Sequence, residues 1–135
     1  MSGIRIKGIV MTTKYQKFGA KSESVAVDCL KKQGYRIIEL NYRTKLGEID
    51  IIAKQGETLV FIEVKARKSS RFGRPELVVT PKKQRKISMV ALCYLKSTKQ
   101  SNVKARFDVV AINSAKAKES PNIKIIKNAF ELAYK

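Results

Sequence analysis

The stretch Ile49-Asp50-Ile51-Ile52-Ala53-Lys54-Gln55-Gly56-Glu57-Thr58-Leu59-Val60-Phe61-Ile62-Glu63-Val64-Lys65 decides the fold. Two runs rich in β-branched and aromatic residues flank a polar turn, the pattern of an antiparallel hairpin with strands over Ile49 to Lys54 and Leu59 to Lys65. Alternation sends Ile49, Ile51 and Ala53 to one face and Asp50 with Ile52 to the other. In the second strand Val60, Ile62 and Val64 share a face, and Leu59 and Phe61 share the opposite face with Glu63 and Lys65. Both strands are apolar on both sides, so they belong at the covered centre of a sheet. If Gln55 to Thr58 forms a four-residue loop, the residue numbers of each cross-strand pair add to 113. Asp50 then lies across from Glu63, with Cβ atoms about 4.5 to 5.5 Å apart. A one-residue slip would separate the two acids; a two-residue slip would not. Glu48 is expected to face the other way, as a surface residue at the hairpin edge.

Outward from the hairpin, Tyr35 to Tyr42 reads as a preceding strand, which makes a three-stranded meander. From about Tyr15 to Gln33 the apolar residues recur at helical spacing, with Ala26, Val27 and Leu30 on one stripe, and Gly34 supplies the stop. Residues 1–14 read as a loose arm before a single domain over 15–135, with Met11 an alternative start. After the hairpin, residues 66–79 carry Arg67, Lys68, Arg71 and Arg74 among breakers and read as a mobile basic loop. Thr80 is a good N-cap with Pro81 at the first helical position, and Ile87, Val90, Ala91, Tyr94 and Leu95 give the second helix its apolar face up to about Ser97. Arg106 to Ile112 is a strong strand and Ile123 to Ile126 a weaker one. The element order indicates an α/β sandwich, a central mixed β-sheet flanked by helices.

Composition narrows the function. A chain of 135 residues fits one core, and 29 Lys+Arg against 11 Asp+Glu leave a net charge of +18, which makes a polyanion the leading partner. Nucleic acid comes first, an anionic membrane second. No histidine is present, which excludes a histidine general base, a Ser/His/Asp triad and every histidine-dependent ribonuclease mechanism. Cys29 and Cys93 are too few for a cysteine zinc site and read as reduced thiols, packed as small hydrophobes. No run has the length of a membrane span, and without a basic amphipathic helix bearing aromatic anchors no membrane partner is expected. The expected location is the cytoplasm.

Two carboxylates and a lysine within covered strands are costly to desolvate unless something neutralises them. Hard oxygen ligands without His or Cys suit magnesium or manganese, held by Asp50, Glu63 and the Val64 carbonyl. Lys65 would orient or help deprotonate the attacking water and stabilise charge on a phosphate. The competing reading is an ion pair of Lys65 with either acid that only ties the sheet together; three ionisable groups on one face of a covered hairpin favour a site. Glu23 heads the stripe Glu23, Ala26, Val27, Leu30 and either serves the same centre or is an ordinary acid near a helix start. Gln84 heads the stripe Gln84, Ile87, Ala91, Leu95, amid Lys82, Lys83, Arg85 and Lys86. These cations form either a phosphate clamp at a helix N-terminus or a solvated face. Asp108 reads as structural, paired with Arg106 or a lysine.

Gly47-Glu48-Ile49-Asp50, then Glu63-Val64-Lys65 and Arg67 after twelve intervening residues, resembles the active-site hairpin of the PD-(D/E)XK nuclease superfamily. More narrowly, the chain resembles the YraN-like family of small endonuclease-like proteins, which is similar to archaeal Holliday junction resolvases. Gly19 with Glu23, Gly34-Tyr35, Asn41-Tyr42-Arg43, Thr80 to Arg85 and Arg106 to Val110 carry the likeness over about Phe18 to Ile112. Ile49 stands where the superfamily name has proline. The resemblance implies a restriction-endonuclease-like fold and a Mg2+- or Mn2+-dependent endonuclease that hydrolyses DNA, with branched or damaged DNA among its substrates. It gives Asp50, Glu63 and Lys65 the metal-ligand and lysine roles, Glu23 the helix-one acid and Gln84 the helix-two polar position. It also implies a homodimer. The alternative is a nuclease-fold module that binds DNA or RNA in repair or recombination without turnover.

Overall fold

Seven elements follow one another in the structure, a computed structural model describing residues 14–67, 79–100, 102–113 and 122–132. They are α1 (Lys14–Lys32), β1 (Arg36–Thr44), β2 (Gly47–Gln55), β3 (Thr58–Arg67), α2 (Pro81–Ser97), β4 (Lys104–Asn113) and β5 (Asn122–Phe130). The arm over residues 1–13, including Met11, and the loop cations Lys68, Arg71 and Arg74 lie outside the described residues.

Local chemistry sets the boundaries. Gly34 takes φ 91, and the N–H groups of Gly34 and Tyr35 return to the carbonyls of Lys31 and Leu30 at 3.1 and 3.0 Å. That Schellman closure ends α1 and folds Tyr35 back against Leu30. Thr80 Oγ1 accepts the Lys83 N–H at 3.1 Å with Pro81 at the first helical position, so one orphan donor is satisfied and another is absent where α2 begins. The β2–β3 turn is tighter than the four-residue loop expected: Gln55 pairs with Thr58, leaving only Gly56 and Glu57 between the strands, and Gly56 has φ 61. A two-residue hairpin of this hand needs positive φ at its first central position. The pair sum of 113 is unchanged.

The sheet order is β1-β2-β3-β4-β5, antiparallel throughout except for β3 against β4, which run parallel with α2 as the crossover. Each helix covers one face. On one side α2 packs Ile87, Val90, Ala91 and Tyr94 over Ile52, Leu59, Phe61, Phe107 and Val109. On the other, α1 packs Ala26 and Leu30 over Ile51, Ala53, Val60, Ile62 and Val110. This is a five-stranded mixed sheet between two helices, as expected. Each fully buried Leu, Ile or Phe contributes about 1.5–3 kcal/mol of transfer free energy, so the two clusters supply most of the driving force.

One packing expectation fails, and the failure shapes the site. Ile49 does not share a face with Ile51 and Ala53; it packs on the α2 side with Ile52, while Ile51 and Ala53 lie on the α1 side. The neighbouring strand does the same, with Leu40 toward α1 and Tyr42 toward α2. Leu40 pairs with Ile51 and Tyr42 with Ile49, so both flips fall on the row holding Asn41 and Asp50. Asn41 has φ 52, a left-handed conformation that Asn tolerates better than most residues and that breaks strict period-two alternation.

Pairing also changes at this row. The β2–β3 ladder runs from Gln55↔Thr58 to Ile51↔Ile62. Beyond it β2 continues beside β1 down to Gly47, and β3 continues beside β4 up to Arg67. The sheet forks there, and Asp50 and Glu63 stand on opposite prongs.

Candidate functional site

At the fork the Asp50 carboxylate replaces the missing ladder. Its Oδ2 accepts the Val64 N–H at 2.8 Å, so the acid on β2 is tied to the backbone one residue past Glu63. Glu63 is 5% exposed, and the two carboxylates share a cleft of about 580 Å³ with Arg43, Glu48, Lys83 and Lys86. Burial first, and the neighbouring Glu63 charge second, push the Asp50 carboxyl up to about 8, against the lowering effect of the Val64 N–H; Glu23 and Glu48 add smaller upward pushes. Two carboxylates brought together in a poorly solvated place cannot both ionise cheaply.

Among the described residues two ammonium groups converge on Glu63. Lys83 Nζ lies 2.9 Å and Lys65 Nζ 3.7 Å from the same oxygen, Glu63 Oε2. Lys65 comes from β3, two residues on and so on the same face. Lys83 comes from the first turn of α2, where burial works against its charge but Glu63, and then Asp50, raise its pKa overall. Sequence reasoning placed Lys83 among the phosphate-holding cations and missed this contact, although the signal was present: Lys83 lies four residues before Ile87, on the edge of the stripe that faces the sheet. Its neighbours Lys82, Arg85 and Lys86 are exposed, and Lys86 lines the cleft.

Glu48 is a correction. Exposed at the hairpin edge as expected, it nevertheless lines the cleft with Asp50 instead of facing away, in the stretch where strict alternation breaks. It is held at the rim by Arg43, 3.2 Å away and largely exposed. Glu23 accepts from Asn41 Nδ2 at 3.1 Å, which places it against the left-handed residue opposite Asp50. The lining of the cleft does not include it. Its carboxyl is raised chiefly by burial, with the Asn41 bond opposing. The buried stripe of α1 runs through Ser22, Ala26 and Leu30, leaving Glu23 half-buried at its margin. Gln84 Nε2 donates to the Val79 carbonyl at 2.8 Å, so this amide braces the entry to α2. Arg67 closes β3.

The donor set suits a hard divalent ion that keeps several waters. The cleft lining offers the carboxylates of Asp50 and Glu63, with Glu48 at the rim, and neither imidazole nor thiolate. Among the described residues no three or more His, Cys, Asp or Glu side chains form a ligand cluster, so protein ligands would be few. Cys29 and Cys93 are free and half-buried. No described helix is long and apolar enough to cross a membrane. Asp108 has the structural role expected: fully buried, it accepts from Tyr35 Oη at 2.8 Å, Arg106 Nε at 3.0 Å and the Asn128 N–H at 2.8 Å.

Comparison with known proteins matches residues 22–112 to the uncharacterised protein family UPF0102. A UPF0102 protein of Syntrophus aciditrophicus is 47% identical over 126 residues, covering 93% of this chain and 98% of its own. Another, from Geotalea daltonii, is 52% identical over 116 residues, 86% of this chain and 91% of its own. A third, from Geobacter metallireducens, is 47% identical over 124 residues, 92% of this chain and all of its own. A match running from the buried stripe of α1 through the forked hairpin and α2 to the end of β4 takes in every residue of the cleft, and the chain belongs to the UPF0102 family.

Proposed function

We propose that this protein is a divalent-metal-dependent nuclease of the PD-(D/E)XK type acting on the DNA backbone. The observation that carries the reading is the fork: Asp50, fixed by the Val64 N–H at 2.8 Å, shares a cleft with buried Glu63, and Glu63 is met by lysines from two elements, Lys65 of β3 and Lys83 of α2. Asp50, Glu63 and the Val64 carbonyl would hold magnesium or manganese, which supplies Lewis-acid stabilisation of the phosphoryl oxygens. Lys65, partly buried on the face of Glu63, orients a water and offsets the negative charge that builds on phosphorus. Arg43 and Lys86 at the rim hold backbone phosphates. Contacts of that kind give affinity with little sequence choice, so substrate selection would come from DNA shape, with branched or damaged DNA the substrates of choice. Glu23 acts through Asn41 on the conformation opposite Asp50, and Gln84 through the position of α2.

A cleavage panel of linear, flapped, four-way and RNA substrates with Mg2+ or Mn2+ tests the reading. Asp50→Asn, Glu63→Gln and Lys65→Ala are each expected to lower cleavage about 100-fold or more while binding persists. The Lys83–Glu63 contact favours one second reading, a binding module that keeps the cleft closed by its own lysine. That reading gives nucleic-acid binding with no metal-dependent cutting of any substrate.

A further inference from the structure

Glu63 Oε2 receives two ammonium groups that differ in freedom. The Lys65 side chain is 29% exposed and 3.7 Å away; the Lys83 side chain is 46% exposed and 2.9 Å away. The Lys83 backbone is anchored, since its N–H donates to Thr80 Oγ1. Its long side chain therefore leaves from a fixed base into a half-open position, and it can withdraw from Glu63 without moving α2. The first turn of α2 contains no acid that could hold it elsewhere. Glu63 Oε2 thus has one close and one more distant ammonium, and a doubly charged ion seated between Asp50 and Glu63 would take the place of the close one. Lys83 and such an ion want the same oxygen.

We propose that Lys83 is a placeholder cation, whose ammonium neutralises Glu63 in the metal-free protein and must be displaced before a divalent ion binds between Asp50 and Glu63. The proposal rests on the reading of those acids as a metal site and adds a regulation of it. The lysine weakens metal affinity and so sets the ion concentration at which the site loads, while giving the buried Glu63 a counter-charge. A partly exposed ion pair is worth little in water, so the handicap is modest and the exchange is reversible at ordinary ion concentrations.

Titration of the nucleic-acid-free protein with Mg2+ and with Mn2+, read by calorimetry and by thermal shift, tests this without any activity measurement. Lys83→Met and Lys83→Gln are expected to bind either ion about fivefold or more tightly than the parent. Lys83→Arg, which keeps the charge, should return affinity to near the parental value. Circular dichroism confirms folding, and the Gln variant serves should Met disturb the cleft. Binding that appears in the neutral variants and is too weak to detect in the parent also supports the placeholder. Equal or weaker binding in both neutral variants overturns it and leaves the metal site standing. No binding in the parent or in any variant overturns the metal site itself, and the placeholder with it.

Discussion

Among the described residues Asp50 carries the most displaced carboxyl, and its burden is measurable. Its carboxyl is pushed up to about 8 from an ordinary 3.8, by burial and then by Glu63. The folded protein therefore retains a proton that the unfolded chain releases between these values. Its contribution to stability is full below about pH 4 and is lost as pH rises through about 8. Asp50→Asn is expected to raise metal-free stability at pH 8 by up to about 5 kcal/mol, with the gain vanishing toward pH 4, as read by denaturant melts across that range. A gain independent of pH would show that the carboxyl is not perturbed. Asp108 is the opposite case. It is buried but fully partnered by Tyr35, Arg106 and the Asn128 N–H, and it tethers β5 where Asn128 takes φ 53. Asp108→Ala strands Arg106 and that N–H, and is expected to cost about 2–4 kcal/mol at neutral pH in the same assay. Asp108 was legible as a structural acid paired with Arg106, but its bonds to Tyr35 and the Asn128 N–H were not, nor was the Asp50 contact to the Val64 N–H: an acid in an apolar strand must be neutralised, yet distant partners leave no local signal.

The elements that make the site are β1 and β2 where their alternation flips. Asn41 and Gly47 bracket the irregular stretch, at φ 52 and 148. A Cβ on Gly47 would meet Val90 Cγ2 at 3.6 Å, an ordinary contact, so the obstacle to substitution there is the backbone and not space. Gly47→Ala is expected to destabilise by about 1–3 kcal/mol in chemical denaturation, with no accompanying loss of α2 packing. At the start of α2, Thr80→Ala removes the acceptor of the Lys83 N–H and should cost about 1 kcal/mol. The N-cap and its proline, the glycine stop of α1 and the pair sum of the hairpin were readable because each depends on neighbours within a few positions, whereas the turn itself closed two residues tighter than expected. The flip at Asp50 was not. Period-two reading assumes regular strands, and the irregularity arises because β2 must leave β3 while remaining paired to β1.

At the scale of the whole molecule, a net charge of +18 over 135 residues is the feature any partner meets first. On the proposed reading, DNA affinity should fall steeply with salt, by about tenfold or more between 50 and 200 mM, in a linear plot of log affinity against log salt. A flat response would put specific, uncharged contacts in place of phosphate binding. The sequence by itself determined the charge, the absence of histidine chemistry, the two helices and the hairpin register as far as Ile51 and Ile62. These follow from composition, from short-range backbone preferences and from the requirement that apolar residues be covered. Only the tertiary structure decided that the sheet forks at that pair, that Ile49 and Tyr42 cross to the α2 side, that Glu48 joins the cleft, and that Lys83 reaches Glu63. Each depends on where α2 lands over the sheet, and that placement is fixed by Ile87, Val90, Ala91 and Tyr94 packing on residues of β2, β3 and β4. Contacts between elements distant in the chain carry no local signature, because the free energy that selects them is shared across the whole core.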